Sequence, residues 1–162
     1  MTKKVEDFFF FQIKNVSCFK STLSRNLQQI TSAKTILNPS NTAPAMVNVA
    51  FSQSGLNALG VRDNLNDSVF SGGQFVDAAN LGDPGTNDWI PAFKGTGIHG
   101  VFTLAYDNTV VFDKTLPGIS VCIKQVYNLT GKMRPAPNEG HEREEIYFDT
   151  SSYNSFFQLS LN

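Results

Sequence analysis

Few side chains in this sequence have the types and spacing that catalysis or metal binding requires. The chain contains two histidines, His99 and His141, and two cysteines, Cys18 and Cys122. Neither histidine has a second histidine or a cysteine at ligand spacing, and no Cys-x-x-Cys pair occurs. A hydrogen-bonded structural role is the simpler interpretation of His99, and a solvated charged turn that of His141. The sequence therefore predicts no metal site built from protein ligands alone.

Asp149 is the carboxylate best suited to acid–base chemistry. It follows Ile146-Tyr147-Phe148, and burial among aromatic side chains would raise its pKa into the useful range. An exposed turn aspartate is the competing interpretation. The glycine-rich pieces at 71–73 and 94–97 lack the spacing of phosphate loops, and no Gly-x-Ser-x-Gly motif occurs. Neither phosphate binding nor nucleophilic catalysis is predicted.

Cys18 and Cys122 allow two interpretations. Two buried, free cysteines are favoured, and a disulfide closing a loop of about 100 residues would be worth up to about 4.7 kcal/mol in the chain-entropy model. Asn15, Asn66 and Asn128 each begin an N-glycosylation sequon, which matters only for an exported chain. The residues after Met1 lack the apolar stretch of a secretion signal.

The composition is that of one soluble domain. The 162 residues carry 13 Lys+Arg against 14 Asp+Glu, with 41% hydrophobic residues and 14 Phe. A net charge of -1 provides no basic surface for phosphates. The longest apolar run, residues 8–11, is far shorter than the roughly 20 residues of a membrane-spanning helix. We expect neither a nucleic-acid partner nor a membrane span.

Hydrophobic periodicity predicts the elements that must position these residues. A helix is indicated where apolar residues recur every three or four positions between 16 and 30, and a helical turn over 56–59 that Gly60 ends. Pro117 and Gly118 keep the crossover over 107–118 short or non-helical. Residues 62–97 read as a long loop rich in Gly, Asn and Asp. Strands are predicted over 7–13, 46–51, 99–106 and 123–129.

This order of elements is that of a single α+β, ferredoxin-like sandwich, an antiparallel sheet with helices on one face. The Phe-dense first strand is expected to lie centrally and to be buried on both faces. The predicted helices are too few to cover both faces. The 62–97 loop, a second domain or another chain must therefore cover the second face.

Several segments together resemble the amino-terminal half of fungal dye-decolourising (DyP-type) haem peroxidases. They are 8–13, 50–60, 74–83 and 92–102, with Arg134-Pro135 ahead of Gly140-His141-Glu142. The resemblance covers roughly residues 7–142. It implies a ferredoxin-like DyP-type domain over 1–142 and a divergent tail over 143–162. In that family two such domains pack sheet to sheet around haem.

The resemblance also implies a role for Asp149. With a shift of one residue it matches the distal aspartate of the family's GxxDG motif, although both motif glycines are replaced here. The distal arginine and the proximal histidine belong to the family's second domain. We therefore expect a non-catalytic chain without a cofactor. A haem-dependent DyP-type peroxidase with Asp149 as a catalytic residue is one alternative, and a homodimeric module that binds a small molecule is another.

An uncovered apolar sheet face predicts a protein partner. By analogy of fold with the small subunits of secreted fungal heterodimeric laccases, we expect the chain to bind and stabilise a larger oxidase of the laccase type. That interpretation implies a hetero-oligomer and an extracellular location, with a cytoplasmic one as the alternative. Trp89 and Phe93 are the predicted aromatic anchors for the partner. Packing of both rings into the chain's own core is the competing interpretation.

Overall fold

A five-stranded antiparallel sheet organises the chain. The computed structural model describes residues 3–38, 45–63, 65–107, 112–133 and 146–148. The sheet order is β2-β3-β1-β4-β5, so the first strand is central as expected, and its first four strands have the ferredoxin-like order. The predicted fold class is confirmed, but residues 62–97, predicted as a long loop, contain two short helices at Ser68–Gly72 and Gln74–Asp77. The strands are β1 (Val5–Ile13), β2 (Ala45–Phe51), β3 (Gly100–Tyr106), β4 (Ile123–Met133) and β5 (Ile146–Phe148).

Short helices connect the strands, and polar side chains cap the first turns of several of them. Asn15 Oδ1 accepts the Cys18 N–H, and Ser52 Oγ accepts the Gly55 N–H. These bonds satisfy amide groups that the first helical turn leaves without partners. Three single turns of 3-10 helix lie at Leu27–Gln29, Pro91–Phe93 and Ser120–Cys122. The helices are α1 (Val16–Arg25), α2 (Ala33–Ile36), α3 (Gln53–Ala58), α4 (Ser68–Gly72), α5 (Gln74–Asp77) and α6 (Phe112–Thr115).

The hydrophobic core lies between the sheet and α1. Phe11 is fully buried, and its ring centroid lies 4.9 Å from that of Phe102 in β3 and 5.5 Å from that of Phe19 in α1. Phe9 occupies the same face of β1 and stacks on Phe112 at 4.2 Å. These aromatic contacts fix the register of the central strands against the helices.

Two glycines permit close backbone approaches beside this core. A Cβ on Gly55 would lie 1.8 Å from the His99 carbonyl oxygen, and one on Gly100 would lie 2.5 Å from the Ala50 carbonyl oxygen. Any larger residue would push α3 away from the start of β3, or β2 away from β3. Glycine is therefore required at both positions for steric reasons.

The helix predicted over 16–30 is shorter than expected. It ends at Arg25, and residues 27–29 form a separate 3-10 turn. The cause is Asn26, a buried side chain whose Nδ2 donates to the carbonyl oxygens of Thr22 and Pro117. This contact with the distant crossover stops α1 one turn before its apolar periodicity does.

The helical turn predicted over 56–59 is longer than expected, because Ser52 caps it from Gln53. Its end was predicted correctly. Gly60 has φ +75°, its N–H donates to the Asn57 carbonyl, and the Val61 N–H donates to the Leu56 carbonyl. This is the Schellman arrangement that favours glycine just after a helix. The crossover after β3 is short, as predicted, with one helical turn at α6.

Cys18 and Cys122 form a disulfide that ties the first turn of α1 to the start of β4. The favoured interpretation of two free cysteines is therefore wrong. Their Cα atoms lie 5.5 Å apart across 104 residues of sequence. The predicted domain boundary at 142 lies outside the described residues. Within the described part of the chain, no helix has the length and apolar character to cross a bilayer.

Candidate functional site

The sheet face opposite the helices carries a continuous group of half-buried apolar side chains, and we call it the open face. Because Phe9 and Phe11 point into the core, the alternation of β1 places Phe8 and Phe10 on this opposite side. Phe10 pairs with Val101 of β3 and Tyr127 of β4, and Phe8 pairs with Leu129 of β4. The open face is lined by Phe8, Phe10, Val101, Tyr127 and Leu129.

One aromatic ring from the long connection between α3 and β3 covers part of this face. We call residues 62–97 the arm. The ring centroid of Phe93 lies 5.0 Å from that of Phe10 and 5.3 Å from that of Tyr127, edge to face in both cases. Such contacts add roughly 0.5–1.5 kcal/mol each beyond simple burial. The arm is thus one of the three predicted covers, and through Phe93 it contacts Phe10 and Tyr127.

The expectation that the first strand is buried on both faces is wrong for the described residues. Phe11 is fully buried, whereas Phe8 and Phe10 are half-buried. Phe10 is half-buried because the ring of Phe93 covers one side of it and leaves the rest accessible. The phenylalanines of β1 thus carry more apolar surface than the described residues bury. Such exposed apolar surface is typical of a face that packs against a further unit.

Trp89 stabilises the arm itself. Its indole Nε1 donates to Asp83 Oδ2 at 2.8 Å, while Asp83 Oδ1 accepts the Gly85 N–H at 2.9 Å. The ring of Phe75 lies against Trp89 with centroids 5.9 Å apart. Trp89 and Phe93 thus both make contacts within the chain. Their predicted role as anchors for a partner stays a prediction.

A carboxylate cluster that the sequence analysis missed joins three strands. The Tyr106 hydroxyl donates to Asp7 Oδ2 at 2.8 Å, and the Thr130 hydroxyl donates to Asp7 Oδ1. Burial, the hydrogen bond to Asp7 and its negative charge raise the pKa of Tyr106 to about 12. The available signal was an aspartate within a Phe-rich strand, where a charge needs partners. The cluster holds a protonated tyrosine and serves the fold.

His99 is a hydrogen-bonded structural histidine, as expected. Its Nδ1 accepts the Ile13 N–H at 3.1 Å, and its own backbone N–H donates to the Phe11 carbonyl at 2.8 Å. Burial lowers the pKa of His99. A neutral imidazole whose Nδ1 accepts a hydrogen bond carries its proton on Nε2.

That tautomer decides whether His99 suits a haem iron. A ligating histidine coordinates through an unprotonated nitrogen and donates its other N–H to a neighbour, which is the reverse of the arrangement at His99. Elsewhere in the described ranges, no three His, Cys, Asp or Glu side chains group closely enough to hold a metal ion. His99, the one histidine among the described residues, therefore does not fit axial ligation of haem. His141 and Asp149 lie outside those residues.

Comparison with known proteins identifies the family. Residues 1–135 match the model of the DyP dimeric alpha+beta barrel domain. The chain belongs to the DyP family. It is 47% identical over 148 residues to Peroxidase 2 of Mycetinis scorodonius, covering 88% of this chain and 29% of that protein. It is 40% identical over 147 residues to dye-decolorizing peroxidase AauDyP1 of Auricularia auricula-judae, with coverage of 88% and 29%.

Solved DyP structures have the same fold. A decolorizing peroxidase from Auricularia auricula-judae superposes with a TM-score of 0.76 at 37% identity, covering 83% of this chain and 31% of that chain. A second, with an engineered heme pocket, gives 0.77 at 37% identity, with coverage of 86% and 32%. The chain thus spans less than a third of the length of these relatives. The family resemblance drawn from the sequence is confirmed.

These comparisons correct three expectations. The relatives are named peroxidases, so the expectations of a non-catalytic laccase-type subunit, of a chain that is not an enzyme and of no cofactor are wrong. A sequence that matches 29% of a relative's length need not contain that relative's complete iron site, which is why the prediction from these residues alone was wrong. The related prediction of a protein partner is not tested by these relatives.

Proposed function

We propose that this chain serves as the sheet-forming, amino-terminal domain of a haem-dependent DyP-type peroxidase that oxidises dyes with peroxide. The observation that supports this most strongly is the 47% identity to a fungal peroxidase over 88% of the chain. The match of residues 1–135 to the DyP domain model agrees with it. Haem ligation then falls to residues outside those described here.

The open face is the surface that this domain contributes to the enzyme. Phe8, Phe10 and Leu129 are half-buried and apolar, so packing a second sheet against them would remove hydrophobic area from water. The family description, a dimeric alpha+beta barrel, supports a second α+β unit as the occupant. We propose that the open face packs against that unit and excludes water from the space between the sheets.

Asp149 is the proposed catalytic residue of this chain. It follows β5, whose Phe148 pairs with Gly131 of β4, and its resemblance to the distal aspartate supports the assignment. In this role its carboxylate takes up a proton from peroxide.

An extracellular location accompanies this function. The support is the Cys18–Cys122 disulfide, because disulfides persist in oxidising compartments and are rare in the cytosol.

The decisive experiment is to express the full-length protein that contains this sequence and to record its absorption spectrum and its peroxide-dependent dye oxidation. We expect a Soret band and turnover. Asp149→Asn should abolish turnover while keeping the Soret band, and Asp113→Asn, which removes an exposed carboxylate of α6, should leave turnover unchanged. A folded, haem-loaded protein with no turnover would contradict the proposal.

A further inference from the structure

The three N-glycosylation sequons lie at different places in the fold, and neither Asn15 nor Asn128 lies on the open face. Asn15 is exposed and begins α1, which packs against the core side of the sheet. Asn128 is exposed on β4 between Tyr127 and Leu129, and it pairs with Phe9, whose ring lies in the core. The alternation of β4 therefore places Asn128 on the helix side.

The cap at Asn15 is compatible with a glycan. Its Oδ1 accepts the Cys18 N–H at 2.9 Å, which leaves the amide nitrogen Nδ2 as the atom for a sugar bond. Glycosylated asparagine keeps its carbonyl oxygen, so the same hydrogen bond persists after modification. Ser17, the hydroxyl residue of this sequon, is also exposed.

Asn66 is in a different environment. Its neighbours in the arm include Leu65 and Val69, whose side chains are 51% and 56% exposed. If the arm packs against the second unit of the proposed enzyme, a chain that received an oligosaccharide at Asn66, close in sequence to these two apolar residues, would not complete that contact, so the secreted enzyme carries none there.

We propose that Asn15 and Asn128 carry N-linked oligosaccharides and that Asn66 does not, so that the sugars mark the helix side as the surface that stays in water. In the transfer, Nδ2 forms a bond to C1 of the sugar and loses a proton. The bond from C1 to a lipid pyrophosphate breaks, and the lipid pyrophosphate leaves. The donor is a lipid-linked oligosaccharide of the export pathway, so the inference rests on the proposed extracellular location.

Folding sets the time at which Asn15 must react. Its backbone N–H donates to the Cys122 carbonyl at 3.2 Å, and Cys18, three residues later, is bonded to Cys122. Closing the disulfide thus holds the sequon in the first turn of α1. Sugar transfer to Asn15 has to come before this closure, so Cys18→Ser should raise the fraction of chains glycosylated at Asn15 without changing that at Asn128.

The test is to secrete the full-length protein from a eukaryotic host, remove the sugars with a peptide N-glycosidase in heavy-oxygen water, and locate the labelled aspartates by mass spectrometry. We expect label at positions 15 and 128 and none at 66. Ser17→Ala should remove the label at 15, and Ser17→Thr should keep it. Asn128→Asp should remove the second glycan, whereas Thr130→Ser keeps both that sequon and a hydroxyl for Asp7.

Secreted protein without sugar at Asn15 or at Asn128, or with sugar at Asn66, would overturn the inference. The same sample separates this result from the proposed function. Missing sugars with normal dye oxidation overturn the glycan assignment alone. Both sugars in place on a protein that does not oxidise dye with peroxide would overturn the peroxidase proposal alone.

Discussion

The sheet with α1 and the arm differ in how they bury their apolar side chains. In the first region Phe11, Phe19 and Phe102 are fully buried, and the ring of Phe11 contacts the other two. In the arm, Ala78 is buried, while Val76 is 74% exposed. Both regions contain apolar residues. Among the described residues, only those of the first region form a fully buried core.

The difference shows that the arm depends on a few specific contacts. Within the arm, Trp89 donates a hydrogen bond to Asp83 and packs against Phe75. Near the end of the arm, Phe93 packs against the open face. A segment with this much exposed apolar surface is typical of one that a further unit covers. Four substitutions or pairs of substitutions test the contrast, from the largest expected effect to the smallest.

The first test removes the disulfide of the core region. Cys18→Ser with Cys122→Ser should lower the free energy of unfolding by about 2–5 kcal/mol, since the bond closes a long loop in the unfolded chain. Denaturant titration measures this change, and Ser24→Ala in α1 is the control for an exposed position. A loss below about 1 kcal/mol would show that the bond adds little to the core.

The second test compares one phenylalanine from each region. Phe11→Ala should cost about 3–5 kcal/mol because it leaves a cavity in the core. Phe93→Ala should cost about 1–2 kcal/mol, because that ring is half-buried and its removal exposes Phe10 and Tyr127. Denaturant titration of both variants gives the ratio, and equal losses would contradict the contrast between core and arm.

The third test removes one hydrogen bond from the arm. Trp89→Phe keeps an aromatic ring beside Phe75 and deletes the bond from the indole Nε1 to Asp83. We expect a loss of about 1 kcal/mol. Hydrogen exchange should accelerate at Gly85, whose N–H donates to the same carboxylate, and should stay unchanged at Phe102 in β3. Uniform acceleration would mean that the arm and the sheet unfold as one unit.

The fourth test concerns the ionisation of Tyr106, which changes stability only at alkaline pH. The pKa of Tyr106 is raised to about 12 from an ordinary value of 10.0. The raised pKa contributes stability that is fully present below pH 10 and is lost as the pH rises through about 12. Ultraviolet titration should show this late tyrosine in the wild-type protein and lose it in Tyr106→Phe, with Tyr127→Phe as the matched control. Ionisation of Tyr106 near pH 10 would contradict the assigned contact with Asp7.

Local sequence patterns predicted the elements whose structure they decide. The alternation and turn residues located four strands, and Gly60 was placed correctly because a left-handed residue after a helix favours glycine. The same patterns did not predict features that depend on contacts between residues far apart in the sequence. Asn26 ends α1 through the Pro117 carbonyl, and Asp7 finds Tyr106 and Thr130 on other strands.

The candidate site was predicted only in part. An uncovered apolar face followed from the Phe-rich first strand and the small number of helices, but the position of Phe93 on that face depends on the course of the arm. Cys18 and Cys122 form a disulfide because the fold brings them close together, and the sequence alone does not show that proximity across 104 residues. Asp149 was proposed from resemblance alone, and its carboxylate lies outside the described residues.

The central position of β1 also has a consequence for the nascent chain during translation. Of the described strands β1 is synthesised before its neighbours, yet it lies between β3 and β4, and Val5 pairs with Tyr106 and Lys132. At roughly 5–20 residues per second, four consecutive phenylalanines wait on the order of 5–25 s for their neighbours to be synthesised. During translation this nascent segment is an obvious client for a chaperone.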